Sequence, residues 1–194
     1  LVLTLSGYYT SAEQALDQAM IQAVSISTTA GFATTDFSIW PTFLPIMLIF
    51  SSFIGGCASS TGGGLKVVRV CLLFLQGKRE VDRLIHPKAV YSVKFGDRAM
   101  PDRVVEAVWG FFSAYAVVFV VLMIGLIATG LDNLSAFTAT AAMLNNLGPG
   151  LGSVAANYAD VTDAGKWILV TGMVFGRLEV FSLLVLFSPT FWRS

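Results

Sequence analysis

Lysine and arginine are absent from the first 40 residues, and the whole 194-residue chain holds only twelve of them against twelve acids. A formal net charge of zero offers no excess of positive charge for a polyanion, and no nucleic-acid partner is expected. There are two cysteines, Cys57 and Cys71. They form neither a C-x-x-C pair nor a ligand cluster, and read as small buried thiols. The one histidine, His86, precedes Pro87 in a charged stretch and reads as a loop residue rather than a ligand or base. No G-x-x-x-x-G-K-[ST] motif occurs: after Gly55–Gly64 the chain reads Leu65-Lys66-Val67, which excludes a phosphate loop. No apolar run contains a histidine, an acid pair or a nucleophile with its base, so an intramembrane enzyme lacks its parts. An initiator methionine and a signal peptide are also missing, and the apolar opening Leu1–Leu5 reads as the tail of a segment in a longer protein.

What the chain has is apolar sequence: 55% hydrophobic residues and a mean hydropathy of +0.74. The long blocks exceed what a core of this size buries, which predicts a multi-pass integral membrane protein. Nine of the twelve basic residues fall between Lys66 and Arg103, whereas residues 1–40 carry only Glu13, Asp17 and Asp36 as charges. Positive loops stay on the cytoplasmic side, so the connector 76–103 is placed inside and the acidic segments outside. The four tryptophans, Trp40, Trp109, Trp167 and Trp192, fall at the expected membrane interfaces.

Taken in order, residues 1–9 read as the outer end of an incoming helix. Ser11-x-x-Gln14 is a capping-box pattern that predicts a helix over 12–27. Sixteen residues span about 24 Å, short of the ~30 Å hydrocarbon core. The sequence is also too polar for lipid, which suits a re-entrant segment buried in protein. The turn 28–33 follows. A span then starts at Trp40-Pro41 and runs to 75, broken at 55–64 by Gly55-Gly56-Cys57-Ala58-Ser59-Ser60-Thr61-Gly62-Gly63-Gly64. Non-helical backbone at that depth needs protein or a wet cavity around it, so the loop reads as a mobile gate or, failing that, a surface linker. Residues 104–130 form the clearest span, 132–144 a second short helix with Asp132 as its cap, 145–150 a second turn, and 167–187 the returning span.

The two halves match. Gly31 and Gly148 are 117 residues apart, as are Gly55 and Gly172, and short helix, glycine turn and long span recur in that order. Two crossings separate equivalent points, so the copies are parallel and related by an axis along the membrane normal. Each turn, Thr28-Thr29-Ala30-Gly31 and Asn145-Asn146-Leu147-Gly148, follows a helix C-terminus that favours cations. Glycine permits carbonyls to line up along one axis, and such stacks replace the hydration shell of a monovalent ion. The plainer alternative is a pair of helix-ending turns.

Thr28-Thr29-Ala30-Gly31-Phe32, Asn146-Leu147-Gly148-Pro149-Gly150, the Gly55–Gly64 loop and Gly176-Arg177-Leu178-Glu179 together resemble the C-terminal half of the TrkH family, the membrane subunits of bacterial Trk potassium-uptake systems in the Trk/Ktr/HKT superfamily. The resemblance implies an all-α membrane protein of tandem helix–re-entrant pore loop–helix repeats around a pseudo-four-fold pore. Two of four repeats are present, the third (1–75) incomplete and the fourth (104–194) entire. It implies K⁺ held by carbonyls of Thr28, Thr29, Ala30, Gly31, Asn145, Asn146, Leu147 and Gly148. The second copy departs from the first, with asparagine for threonine and Pro149 after the glycine, which implies a filter only roughly four-fold. The resemblance further implies the remaining two repeats as partners, a homodimer in the bacterial inner membrane, and a TrkA-like cytosolic ring of nucleotide-binding regulatory subunits, for which 76–103 is a plausible contact.

Arg177 lies ten residues after Trp167, about 15 Å into the membrane. A charge there is costly and by default functional. One reading pairs it with Glu179 or carbonyls as a helix staple. The resemblance implies the other, a gate built from Arg177 and the loop glycines Gly55, Gly56, Gly62, Gly63 and Gly64. Against a potassium channel-like pore stand two other classes: a secondary cation carrier with alternating access around broken helices, and a purely structural subunit. The spans offer a carrier only Glu106 and Glu179 as site acids.

Overall fold

The computed structural model describes residues 2–5, 7–9, 11–41, 43–57, 62–87, 89, 91–96, 98–178 and 192. Seven α-helices are present among them: α1 (Val2–Leu5), α2 (Ala12–Ser27), α3 (Leu44–Ile54), α4 (Val67–Ile85), α5 (Asp102–Ala128), α6 (Asn133–Leu144) and α7 (Asp163–Arg177). One antiparallel ribbon pairs β1 (Lys94–Phe95) with β2 (Arg98–Ala99), a small exception to the all-α expectation.

Local chemistry explains the boundaries. Ser11 Oγ accepts the Glu13 N–H at 3.3 Å and starts α2. Thr162 Oγ1 accepts the Gly165 N–H at 3.2 Å, so α7 begins at Asp163, four residues before the tryptophan expected to open that span. Its continuation toward 187, with Glu179, lies outside the described residues. The span expected from Pro41 begins instead at Leu44, after a 3₁₀ turn over Phe37–Ile39, with Pro45 in the first helical turn where its missing N–H costs nothing. α4 does not end at 75 but continues to Ile85, so the first ten residues assigned to the connector are helical. Arg79 binds Asp102 at 2.6 Å and joins that extension to the first turn of α5. Trp40 is buried (5% exposed) in the core cluster that also holds Leu3 and Ile49.

At 27 residues α5 is about 40 Å long, enough to cross a bilayer. Only 17% of its most apolar window is buried, which distinguishes it from the core helix of a soluble domain. The short α6 is the opposite case: nine of its twelve residues are buried, enclosed by α3, α5 and α7. Small side chains permit this closeness. Gly172 of α7 leaves room for Leu122 of α5 and Met143 of α6, and Gly125 of α5 for Ile168 of α7. Gly172 is an interior helical glycine, unlike its counterpart Gly55, where α3 ends.

Asp132 caps α6, its Oδ2 accepting the Ser135 N–H at 3.1 Å. Hydrogen bonding from Ser135, with a smaller contribution from Ser153, holds this carboxyl below the usual aspartate range. Since the folded value is the depressed one, the cap's stabilisation is present at neutral pH and fades as pH falls below about 4. Asp132→Ala is expected to lower stability by about 1 kcal/mol at pH 7. The deficit against wild type should shrink when melting is repeated near pH 3.

Candidate functional site

The two turns are the same structure. Thr28 and Asn145 both have φ −86° and ψ −2° as helix caps, and the next residues, Thr29 and Asn146, are left-handed at φ 58° and 54°. Thr29 N–H donates to Ile26 O at 3.1 Å and Ala30 N–H to Ser25 O at 2.8 Å; 117 residues on, Asn146 N–H donates to Met143 O at 3.0 Å and Leu147 N–H to Ala142 O at 2.7 Å. These paired bonds are a Schellman motif. The helix-ending reading is therefore correct as geometry, with Thr29 and Asn146 at the left-handed position that ends each helix, and Gly31 and Gly148 two residues on also at positive φ. It is compatible with the carbonyl reading, because a Schellman motif uses amides and leaves the oxygens that follow. Among the described residues, no hydrogen bond reaches the carbonyls of Thr28, Thr29, Ala30, Gly31, Asn145, Asn146 or Leu147. Gly148 O accepts from the Tyr158 hydroxyl at 2.8 Å.

A β-branched threonine at positive φ is strained, typically by 1–3 kcal/mol, roughly. Asparagine tolerates the conformation better.

The turns touch. A Cβ on Gly31, itself at φ 77°, would come closer than 3.0 Å to the carbonyl oxygen of Leu147. The broken span lies against both. Gly63 N–H donates to Thr29 Oγ1 at 3.0 Å, and a Cβ on Gly63 would overlap Asn145 O. Gly55 and Gly64 also leave no room for a Cβ, against Gly63 O and Ser52 O respectively, and Leu65 N–H closes the break on Phe53 O at 2.8 Å. Gly56 O accepts from Val67 N–H at 3.3 Å, and Gly62 is half-buried beside Gly63. Residues 58–61 at the loop's centre are outside the described residues. On the other side, Gly176 abuts Leu144 O and the Asn146 side chain, so Arg177, the exposed last residue of α7, follows the glycine that contacts the second turn.

The two turns thus meet at Gly31 and Leu147, and of the loop glycines Gly63 is the one that contacts both turns. The side chain of Asn145 is a different matter, and the sequence did not reveal it. Asn145 is fully buried; its Oδ1 accepts from Tyr115 Oη at 2.6 Å and its Nδ2 donates to Ser52 Oγ at 2.8 Å. Ser52 Oγ in turn donates to Ile49 O at 2.6 Å. Tyr115 and Ser52, polar groups inside apolar helices, were the available signal. A cavity of about 680 Å³ beside the second turn is lined by Thr34, Asp36, Gly148, Pro149 and Tyr158, among others. No group of three or more metal-ligating side chains occurs among the described residues.

The fold is helical, with a glycine-broken segment seated on two matching, oxygen-bearing helix turns, and its structural match is to a membrane transporter. Residues 6–194 match the TrkH family, described as a cation transport protein, and the chain belongs to that family. It is 68% identical over 96% of its length to the Trk system potassium uptake protein TrkH of Vibrio parahaemolyticus, and 61% identical over 100% to that of Escherichia coli K12. The crystal structure of the potassium transporter TrkH from Vibrio parahaemolyticus superposes with a TM-score of 0.92 at 66% identity, covering 99% of this chain and 41% of that one. The chain spans about two fifths of the length of these relatives, 38% and 40%.

Proposed function

We propose that this chain is the C-terminal part of a potassium-translocating subunit of the bacterial inner membrane, with a channel-like path between the two turns. The observation that carries the reading is the pair of matching Schellman turns in contact, with seven backbone oxygens that accept no hydrogen bond among the described residues. Neutral carbonyls suit a partly dehydrated K⁺, which binds without the trapping strength of a carboxylate. Thr28–Gly31 and Asn145–Gly148 are the ion-binding residues in this reading. Among the described residues, a carrier would have to use Asp36, which lines the cavity with Gly148 and whose Oδ1 already accepts from the Ser38 N–H at 2.9 Å and from its hydroxyl. Glu106 is exposed on α5, lining a cavity with Arg79, Arg83 and Asp102 at the α4–α5 base.

The missing repeats have a surface to meet. α2 leaves Leu16, Met20 and Val24 about as exposed as surface residues, at 60%, 57% and 60%, while its counterpart α6 is enclosed. A homodimer and a nucleotide-binding cytosolic ring belong to the same proposal, with the basic segment after α4 as the regulatory contact. The decisive test is reconstitution of the full-length protein in vesicles. Unitary K⁺ currents are expected, whereas saturable, coupled uptake without unitary events would favour the carrier.

Arg177 and the loop act as the gate in this reading: a fixed positive charge beyond the turns raises the barrier to a cation, and Gly63 is pressed against the oxygens it would have to pass. Arg177→Ala in the full-length protein is expected to raise K⁺ flux about tenfold, the factor for ~1.4 kcal/mol of lowered barrier. Unchanged or lower flux at normal expression would reject the gate assignment.

A further inference from the structure

We infer that Tyr115 and Tyr158 are positioning residues that hold the second turn from two sides and set how selectively it accepts a monovalent cation. The inference rests on the proposed pore reading and goes beyond it, because neither tyrosine belongs to the turn or to the loop.

The argument starts from how each turn is held. The first is fastened by its own helix: Ser25 Oγ donates to Phe32 O at 2.6 Å, Gln22 Nε2 to Thr35 O at 3.0 Å, and Thr34 Oγ1 to Gln18 Oε1 at 2.6 Å. Adding 117 to Ser25 and Gln22 gives Ala142 and Ala139, which have no polar atom to offer. α6 does grip the outgoing chain farther on, through Thr138 with Leu151 and Ser135 with Ser153. Between Asn145 and Gly150 it supplies no side-chain bond.

The two tyrosines occupy that gap. Tyr115, from α5, donates to Asn145 Oδ1 at the turn's inner end, and Asn145 passes the restraint to Ser52 of α3. Tyr158, from the outer loop, donates to Gly148 O at the outer end. Tyr115 is buried at 5% exposure and clamped between Phe53 and Phe111, with ring centroids 6.3 and 6.2 Å away, so its hydroxyl has little freedom to wander. The four groups of the inner chain form an unbroken donor sequence, Tyr115 to Asn145 to Ser52 to Ile49 O, with each side chain's bond satisfied by the next. A turn restrained at both ends holds its oxygens at one spacing. A turn released at either end adapts to ions of other sizes.

The test is the ratio of K⁺ to Na⁺ uptake by the full-length transporter in vesicles. Tyr115→Phe and Tyr158→Phe keep ring volume and remove one hydrogen bond each. Each is expected to lower the ratio about fivefold, the order set by one hydrogen bond. If either variant leaves the ratio unchanged while total uptake merely follows the amount of folded protein, that tyrosine is structural only and its part of the inference falls. Tyr158 lies on a loop, so Tyr158→Phe carries the test even if Tyr115→Phe does not fold. Gly148→Ala in the same assay separates the two levels. A ratio moved by Gly148→Ala but by neither tyrosine overturns this inference alone, and a ratio unmoved by all three overturns the pore reading with it.

Discussion

Gly31→Ala in the full-length protein is expected to reduce K⁺ uptake by tenfold or more, roughly, with normal insertion into the membrane. Two penalties coincide at this residue. Its φ of 77° disfavours any side chain, by roughly 1–2 kcal/mol. Its Cβ would also be driven against Leu147 O, a backbone atom that cannot rotate away. Relief requires the two turns to separate, which moves the oxygens of both. The helices themselves retain their caps and packing, so the loss should appear in transport before it appears in melting temperature. Wild-type uptake by Gly31→Ala would show that the contact between the turns does not matter to transport.

Gly63→Ala is expected to act in the opposite direction and raise flux several-fold, on the order of 1 kcal/mol of lost docking. A methyl group at this position overlaps Asn145 O, so the loop must lift away from the second turn. Lifting also breaks the bond from Gly63 N–H to Thr29 Oγ1. Thr29→Val isolates that bond, since it removes the acceptor with little change in volume and keeps β-branching at the strained position. It should raise flux by a smaller factor. Flux that falls in both variants would mean that the docked loop supports the conducting state, and the gate assignment would have to be reversed.

The placement of the turns was legible because the signals are local. Ser11 caps α2, Asp132 caps α6, and each helix ends in a short stretch whose backbone angles recur 117 residues later. The break at Gly55–Gly64 was equally plain, since a glycine-rich run inside an apolar one has no helical reading. Other boundaries followed bonds that composition does not display. α7 starts at the Thr162 cap and not at the tryptophan, and α4 runs on to Ile85, where Arg79 pairs with Asp102 of α5. The bracing of the second turn was illegible for a stronger reason. Tyr115, Tyr158 and Ser52 stand 30, 10 and 93 residues from their partners, and a tyrosine or serine within an apolar helix looks the same whether or not it meets one.

By itself, then, the sequence determined the chain's apolar character, the uneven distribution of its charge and the positions of both turns, all of which depend on residues close together or on a simple period. Only the tertiary structure decided that the turns touch through Gly31 and Leu147, that Gly63 lies against both, and that Asn145 is committed to Tyr115 and Ser52. Those facts depend on how α3, α5, α6 and α7 pack, and close packing brings together atoms whose separation along the chain carries no trace of the contact.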